Sequence, residues 1–347
     1  MSNYSYFEKV LHRQFLGESI LSKTIFKSLI SKAKALSKEN TKSHIFITGL
    51  ARSGTTAVLN KFYSTDELDS FTYKSMPFIL SPNLSKIYSK FNKPNINPKE
   101  RFHKDGIKIS VNSPECLDEI FWVKYKSNRR YKNCLEPEKL KTEVLKSYSY
   151  LINSFSEIQR NKRMLIKNNN NHLRVEHLSE FFSNSNFLIF FRDPLFQSYS
   201  LLNQHRNFTN LQSQDPFILE YMNLIGHNEF GLNTMPFKYS HDDNWFKNKN
   251  KLEINYWLEQ WIKTYQWILN NNFSDRKNVF LVSYEELSNK KTLFSKICDI
   301  CGILNKNSGL FFFNANEKLN IKNMVFDQEL VNKALKIYQQ LSQISLK

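Results

Sequence analysis

The chain has 347 residues, 41% hydrophobic and 14% aromatic, which is material for a large core and excludes an intrinsically disordered protein. Eight glycines and nine prolines exclude collagen-like and linker-rich architectures. Lys and Arg number 49 against 32 Asp and Glu, and the resulting net charge of +17 attracts anions, whether nucleic acid, an acidic membrane or a phosphorylated cofactor, without choosing among them.

In chain order, helical spacing comes first. Phe7, Val10, Leu11 and Phe15, then Ile25, Phe26, Leu29 and Ile30 beyond Gly17, predict one or two amphipathic helices. They form a helical segment over residues 1–40 that packs on the core or touches a partner or a membrane surface. A short apolar strand at 44–48 enters a Gly-containing turn, and Ala57, Val58, Leu59, Phe62 and Tyr63 continue as a helix. From 64 to 130, Pro77, Pro82, Pro94, Pro98 and Pro114 punctuate loops and short helices of the kind that face a substrate. A helix over 136–159, a strand at 164–166, a helix over 173–182 and a strand at 187–191 follow, and Pro194 opens another helix in the first-turn position that proline tolerates. The asparagine run 168–171 reads as a solvated turn. Residues 207–250 are polar and broken, a second substrate-facing insertion. A helix over 252–270, a strand at 279–283 and a helix ending near Gly302 complete the pattern.

Strands alternating with helices predict a single α/β domain over 1–347, an open, mostly parallel sheet flanked by helices. Ligands in such sheets bind beyond the carboxyl ends of the strands. No apolar run approaches the roughly 20 residues that cross a bilayer. The first thirty residues mix Glu8, Lys9, His12, Arg13 and Glu18 into their apolar pattern, unlike a secretory signal. Cys116, Cys134, Cys298 and Cys301 are too few for a disulfide framework in a chain this long. A cytoplasmic protein with reduced thiols is expected.

Gly49-Leu-Ala-Arg-Ser-Gly54-Thr55-Thr56 has the spacing of a phosphate loop, two glycines five apart between strand and helix, so that successive N–H groups can face an anion. The lysine that clamps a triphosphate is replaced by Thr55, and a cation stands earlier as Arg52. The neighbouring strands end at Lys167, Arg192 and Ser283-Tyr284, with only Asp193 as a nearby acid for a metal. Such a loop suits a donor with less charge at its reacting end, such as a sulfuryl group, and needs no metal. Cys298 and Cys301 lie in an amphipathic helix and read as core, as do most of Trp257, Trp261 and Trp267, and His172 and His177 are not spaced for one helical face.

The segment Phe46-Ile-Thr-Gly-Leu-Ala-Arg-Ser-Gly-Thr-Thr56 resembles the 5′-phosphosulfate loop of the sulfotransferase superfamily, especially its bacterial and tyrosylprotein-type branches. Phe191-Arg192-Asp193-Pro194 with Ser200 resembles the family's 3′-phosphate segment, and Val279-Phe-Leu-Val-Ser-Tyr284 resembles its third block. The resemblance implies a P-loop-like fold and 3′-phosphoadenosine-5′-phosphosulfate (PAPS) as donor. By it, Arg52, Ser53, Gly54, Thr55 and Thr56 hold the 5′ end, Arg192 and Ser200 the 3′-phosphate, and Tyr284 lies near the adenine. Transfer to a hydroxyl or amine needs a base. The stretch from Arg101 to Glu119 resembles a bacterial pattern, and within it His103 titrates in the right range and Glu115 would serve if burial raised its proton affinity, with Asp105 and Glu119 behind them. Lys167 is a second cation that can face the site. The acceptor implied is a small molecule or glycan, including a lipid-linked sugar. The competing readings are a nucleotide-kinase-like phosphoryl transferase, which the missing lysine opposes, and a noncatalytic basic protein that binds nucleic acid, the less favoured partner.

Overall fold

The computed structural model describes residues 4–35, 42–91, 98–101, 106–126, 133–137, 139–305 and 324–347. Two N-terminal helices, α1 (Tyr6–Leu16) and α2 (Ile20–Ala35), precede β1 (Ile45–Thr48), the glycine turn and α3 (Thr55–Tyr63). The Pro-punctuated stretch contributes β2 (Leu68–Asp69), α4 (Pro82–Phe91), a small antiparallel pair, β3 (Lys99–Glu100) with β4 (Lys108–Ile109), and α5 (Glu119–Tyr125). Then come α6 (Thr142–Ile158), β5 (Arg163–Lys167), a 3-10 turn (Asn169–Arg174), α7 (Val175–Phe181), β6 (Asn186–Phe191), α8 (Pro194–Gln214) and α9 (Pro216–Ile225). The chain finishes with α10 (Ile254–Asn270), β7 (Val279–Ser283), α11 (Tyr284–Asn289), α12 (Lys291–Ile300) and α13 (Gln328–Ile344).

Five strands form one parallel sheet in the order β2-β5-β1-β6-β7, the open α/β architecture expected. Its strands are buried on both faces and their side chains alternate between two cores. Phe46, Phe187, Ile189 and Phe191 enter the larger core, with α6, α8, α10 and α13, while Ile45, Ile47, Leu188 and Phe190 enter the smaller one under α3 and α12. Register pairs Thr48 with Ile189 and Phe191 with Ser283, so the carboxyl ends of β1, β6 and β7 share one edge. Cys298 and Cys301 are in the smaller core, and burial pushes the Cys301 thiol up to about 12. No helix among the described residues is long and apolar enough to cross a membrane.

Three expectations change. The start of 207–250 is helical: α8 runs on to Gln214, and Pro216 and Gly226 bracket α9, whose apolar face is buried. The asparagine run is not solvated. Asn168, Asn169, Asn170 and Asn171 are buried just beyond β5, where Asn168 donates to Asp118 and Glu119 and accepts from the Asn170 amide, Asn169 donates to Glu229 and Asn171 accepts from Arg174. Helix α13 was not among the expected elements, although Asp327 caps it and Ala334, Ile337 and Leu341 are buried along one side.

Burial pushes His44, His172 and His205 down to about 4. His44 Nδ1 accepts the Met164 amide at 3.1 Å, a bond that its protonation would break. Folded values below the unfolded value of roughly 6.5 mean that the unfolded chain binds more protons between those limits, so stability is lost as pH falls through that window. For His44 and His172 the loss is on the order of 2–3 kcal/mol each when complete. Asp118 runs the other way: burial raises its carboxyl to about 6, so acidification favours its folded form. The histidines outweigh Asp118, and the melting temperature at pH 4.5 is expected to lie below that at pH 7. A flat or rising profile would contradict this balance.

Candidate active site

The glycine turn sits where β1 ends. Gly49 has φ +129° and a Cβ there would come within 2.2 Å of the Phe190 carbonyl oxygen, so β1 can approach β6 only with glycine at this position. Gly54, at φ +91°, is the N-cap of α3 and supplies no side-chain cap. The first amides of α3 therefore point out of the turn with no intrahelical acceptor, a donor set for an anion. Ser53 and Thr55 are buried, and the Thr55 hydroxyl donates to Asn169 Oδ1 at 3.3 Å.

Arg52 lies in the left-handed region at φ +70°, and its Nε donates to Ser200 Oγ at 3.0 Å. Ser200 is on α8, eight residues beyond Arg192. The turn after β6 that carries Arg192 is rigid for local reasons: Asp193 Oδ1 caps α8 by accepting the amides of Leu195 and Phe196, and the Asp193 amide donates to Glu285. Asp193 is thus engaged as a helix cap. The Arg192 guanidinium carbon stands 4.5 Å from the centre of the Tyr284 ring. On that ring's other contact, a Cβ at Gly54 would come within 2.5 Å of Tyr284 Cδ2. Tyr284 therefore lies between the glycine turn and Arg192, at the end of β7.

A cavity of about 110 Å³ opens on the other side of the turn, lined by Ala51, Arg52, Thr55 and Thr56. Lys167, Arg101, Glu115, Asn169, His227 and Glu229 add its polar wall. Glu115 is nearly sealed from solvent and surrounded: Lys167 Nζ is 3.6 Å and Arg101 Nη1 3.8 Å from its oxygens, the Tyr73 hydroxyl donates at 3.2 Å and the Cys116 amide at 2.9 Å. Burial pushes its carboxyl up, but Lys167, Arg101 and His227 outweigh burial and hold it at about 2. The raised proton affinity on which a base role for Glu115 depends is absent, because burial came with cations.

Two residues that sequence reasoning passed over stand in the same cavity. His227 lies within 2.9 Å, through Nε2, of the Cys116 carbonyl oxygen. A carbonyl only accepts, so Nε2 carries a proton in this contact, which leaves Nδ1 as the ring nitrogen open to the cavity. Glu229 accepts from Asn169 Nδ2 at 3.1 Å. Both follow α9, and Pro216 with Gly226, eleven residues before and one before His227, was the available signal. Glu119 faces elsewhere, locked to Arg174. His103 and Asp105 lie outside the described residues. Among the described residues, no three His, Cys, Asp or Glu side chains gather where they could hold a metal.

A family model described as the sulfotransferase family matches residues 44–227. No curated protein matches the chain. Among solved structures, sulfotransferase STF9 from Mycobacterium avium is similar with a TM-score of 0.55 at 11% identity, covering 100% of this chain and 88% of that one. Sulfotransferase STF1 from Mycobacterium tuberculosis H37Rv gives a TM-score of 0.45 at 11% identity, over 98% and 87% of the two chains. The STF9 likeness shows a shared fold. Because the family match takes in just over half of the chain, from the strand before the glycine turn through the end of α9 to His227, this chain belongs to the sulfotransferase family.

Proposed function

We propose that the chain transfers a sulfuryl group from PAPS to the hydroxyl of a small acceptor. One observation carries this reading: Arg52 of the glycine turn reaches Ser200 of the segment that begins at Arg192, so two anion-binding elements from neighbouring strands meet. PAPS supplies an activated sulfuryl group on a bisphosphate leaving group. Arg52 and the amides of Ser53, Gly54, Thr55 and Thr56 bind its 5′ end, and Arg192 with Ser200 binds the 3′-phosphate through charge-assisted bonds. Tyr284 holds the Arg192 guanidinium in place. His227 takes the acceptor proton at Nδ1. Glu115, ionised, fixes Lys167 and Arg101 beside the acceptor and keeps their charge at the place where negative charge develops.

Calorimetric titration with 3′-phosphoadenosine-5′-phosphate (PAP), AMP and ATP tests the reading, each with and without magnesium. PAP is expected to bind without magnesium and more tightly than AMP. Tighter, magnesium-dependent ATP binding would favour phosphoryl transfer instead. Arg192→Ala is expected to weaken PAP binding by on the order of 2 to 4 kcal/mol while leaving AMP binding nearly unchanged. Equal losses for both nucleotides would remove Arg192 from the 3′-phosphate.

A further inference from the structure

Beneath the bond from Arg52 to Ser200, the glycine turn and the segment that begins at Arg192 are joined a second time, through the side chain of Gln197. Gln197 lies in the first turn of α8 and is fully buried, as is Trp261 of α10. Gln197 Nε2 donates to the carbonyl oxygens of Leu50 and Ala51, at 3.1 and 2.9 Å, on the two residues before Arg52. Gln197 Oε1 accepts from Trp261 Nε1 at 2.9 Å, and the same N–H donates to the Arg192 carbonyl oxygen at 3.2 Å. A carbonyl only accepts and an indole N–H only donates, so a single orientation of the carboxamide satisfies every one of these groups. One turn further along α10, the Tyr265 hydroxyl donates to the Phe190 carbonyl oxygen at 2.8 Å, so α10 holds the end of β6 at two points.

Building on the sulfuryl-transfer reading, we propose that Gln197 and Trp261 are positioning residues, which fix the span between the groups that hold the 5′ end of the donor and those that hold its 3′-phosphate. Both side chains are sealed from solvent, so they act through the backbone they hold rather than by touching the nucleotide. A ligand gripped at both ends gains from the second contact only when the distance between the grips matches its own length, because that contact is then made at high effective concentration. Such placement has to hold to within about 0.5 Å, which is the work of supporting hydrogen bonds behind the binding groups. The partners of this carboxamide come from the glycine turn, and through Trp261 from Arg192 itself, whereas a helix cap or a local brace would be confined to one of them.

Titration with PAP, 5′-AMP and 3′-AMP tests this for wild type, Gln197→Met and Trp261→Phe, with thermal melting as the control for folding. Methionine keeps the length of the side chain without its donors, and phenylalanine keeps a ring without the N–H. Wild type is expected to bind PAP more tightly than either monophosphate. In each variant PAP affinity is expected to fall at least about tenfold, while affinity for each monophosphate stays within about twofold, because either end keeps its own donors and only their spacing is lost. The double variant is expected to lose no more than about twofold beyond the weaker single variant, because the two side chains form one connection. PAP affinity within about threefold of wild type in a folded single variant would overturn the proposal. So would a parallel loss for PAP and both monophosphates, the result of a general loosening of the fold. Failure of wild type to bind PAP would remove the sulfuryl-transfer reading and this inference with it, whereas the other two outcomes, with PAP bound by wild type, remove the inference alone.

Discussion

Arg52→Ala is expected to lower kcat for sulfuryl transfer by about 10²- to 10³-fold at saturating donor and acceptor, the loss typical of removing one donor aimed at developing charge. The side chain joins the glycine turn to α8, with Nε on Ser200. Alanine inherits the same positive φ, so the backbone cost is shared by both proteins and the difference reports the guanidinium. Arg52→Lys retains the charge but loses the fork that addresses Ser200 and an anion together, and should recover only part of the rate. Steady-state kinetics with thermal melting as a control for folding checks this. A kcat within about threefold of wild type in the alanine variant would remove Arg52 from the reaction.

The largest stability effect is expected at Arg174. Its guanidinium grips Glu119 with Nη1 to Oε2 at 2.7 Å and Nη2 to Oε1 at 2.9 Å, and stands 4.5 Å from the centre of the Trp122 ring. Both residues are buried. Burial pushes the Glu119 carboxyl up, but Arg174 and Asn168 outweigh it and keep it below its usual range. Arg174→Met would leave that carboxylate without its cation, at a cost of about 3–5 kcal/mol, a large part of a typical stability of roughly 5–15 kcal/mol. Urea unfolding should show a lowered midpoint. The double variant Arg174→Met with Glu119→Leu should recover most of the loss, because a buried pair replaced by apolar groups of similar volume is close to neutral. A single variant within about 1 kcal/mol of wild type would show that the pair is not the uncompensated charge described. This pair also frames the asparagine turn that brings Asn169 to Thr55, which links scaffold stability to the glycine turn.

What could be read without coordinates was what short-range physics dictates. The unbroken apolar runs Ile45-Phe46-Ile47 and Phe187 to Phe191 are the local mark of strands buried on both faces, and the strand, glycine turn and helix at 45–63 follow from backbone sterics. Ser200 follows Arg192 by eight residues, a spacing legible in the chain, while its bond to Arg52 took the coordinates to find. Helix α9 also carried local signals, Pro216 at its first turn and Gly226 at its end, but the polar residues around it masked them.

The composition and motifs of the chain by themselves determined the parallel α/β architecture and the strand, glycine turn and helix that open it. Only the tertiary structure decided which groups share the cavity. It placed His227 and Glu229 opposite Lys167, surrounded Glu115 with cations, turned Glu119 away onto Arg174 and brought Tyr4 across from the N-terminus. The reason is that a proton affinity or a binding wall is set by neighbours in space, often a hundred or more residues apart in the chain, and burial of a carboxylate raises or lowers its affinity for protons according to which charges are buried with it.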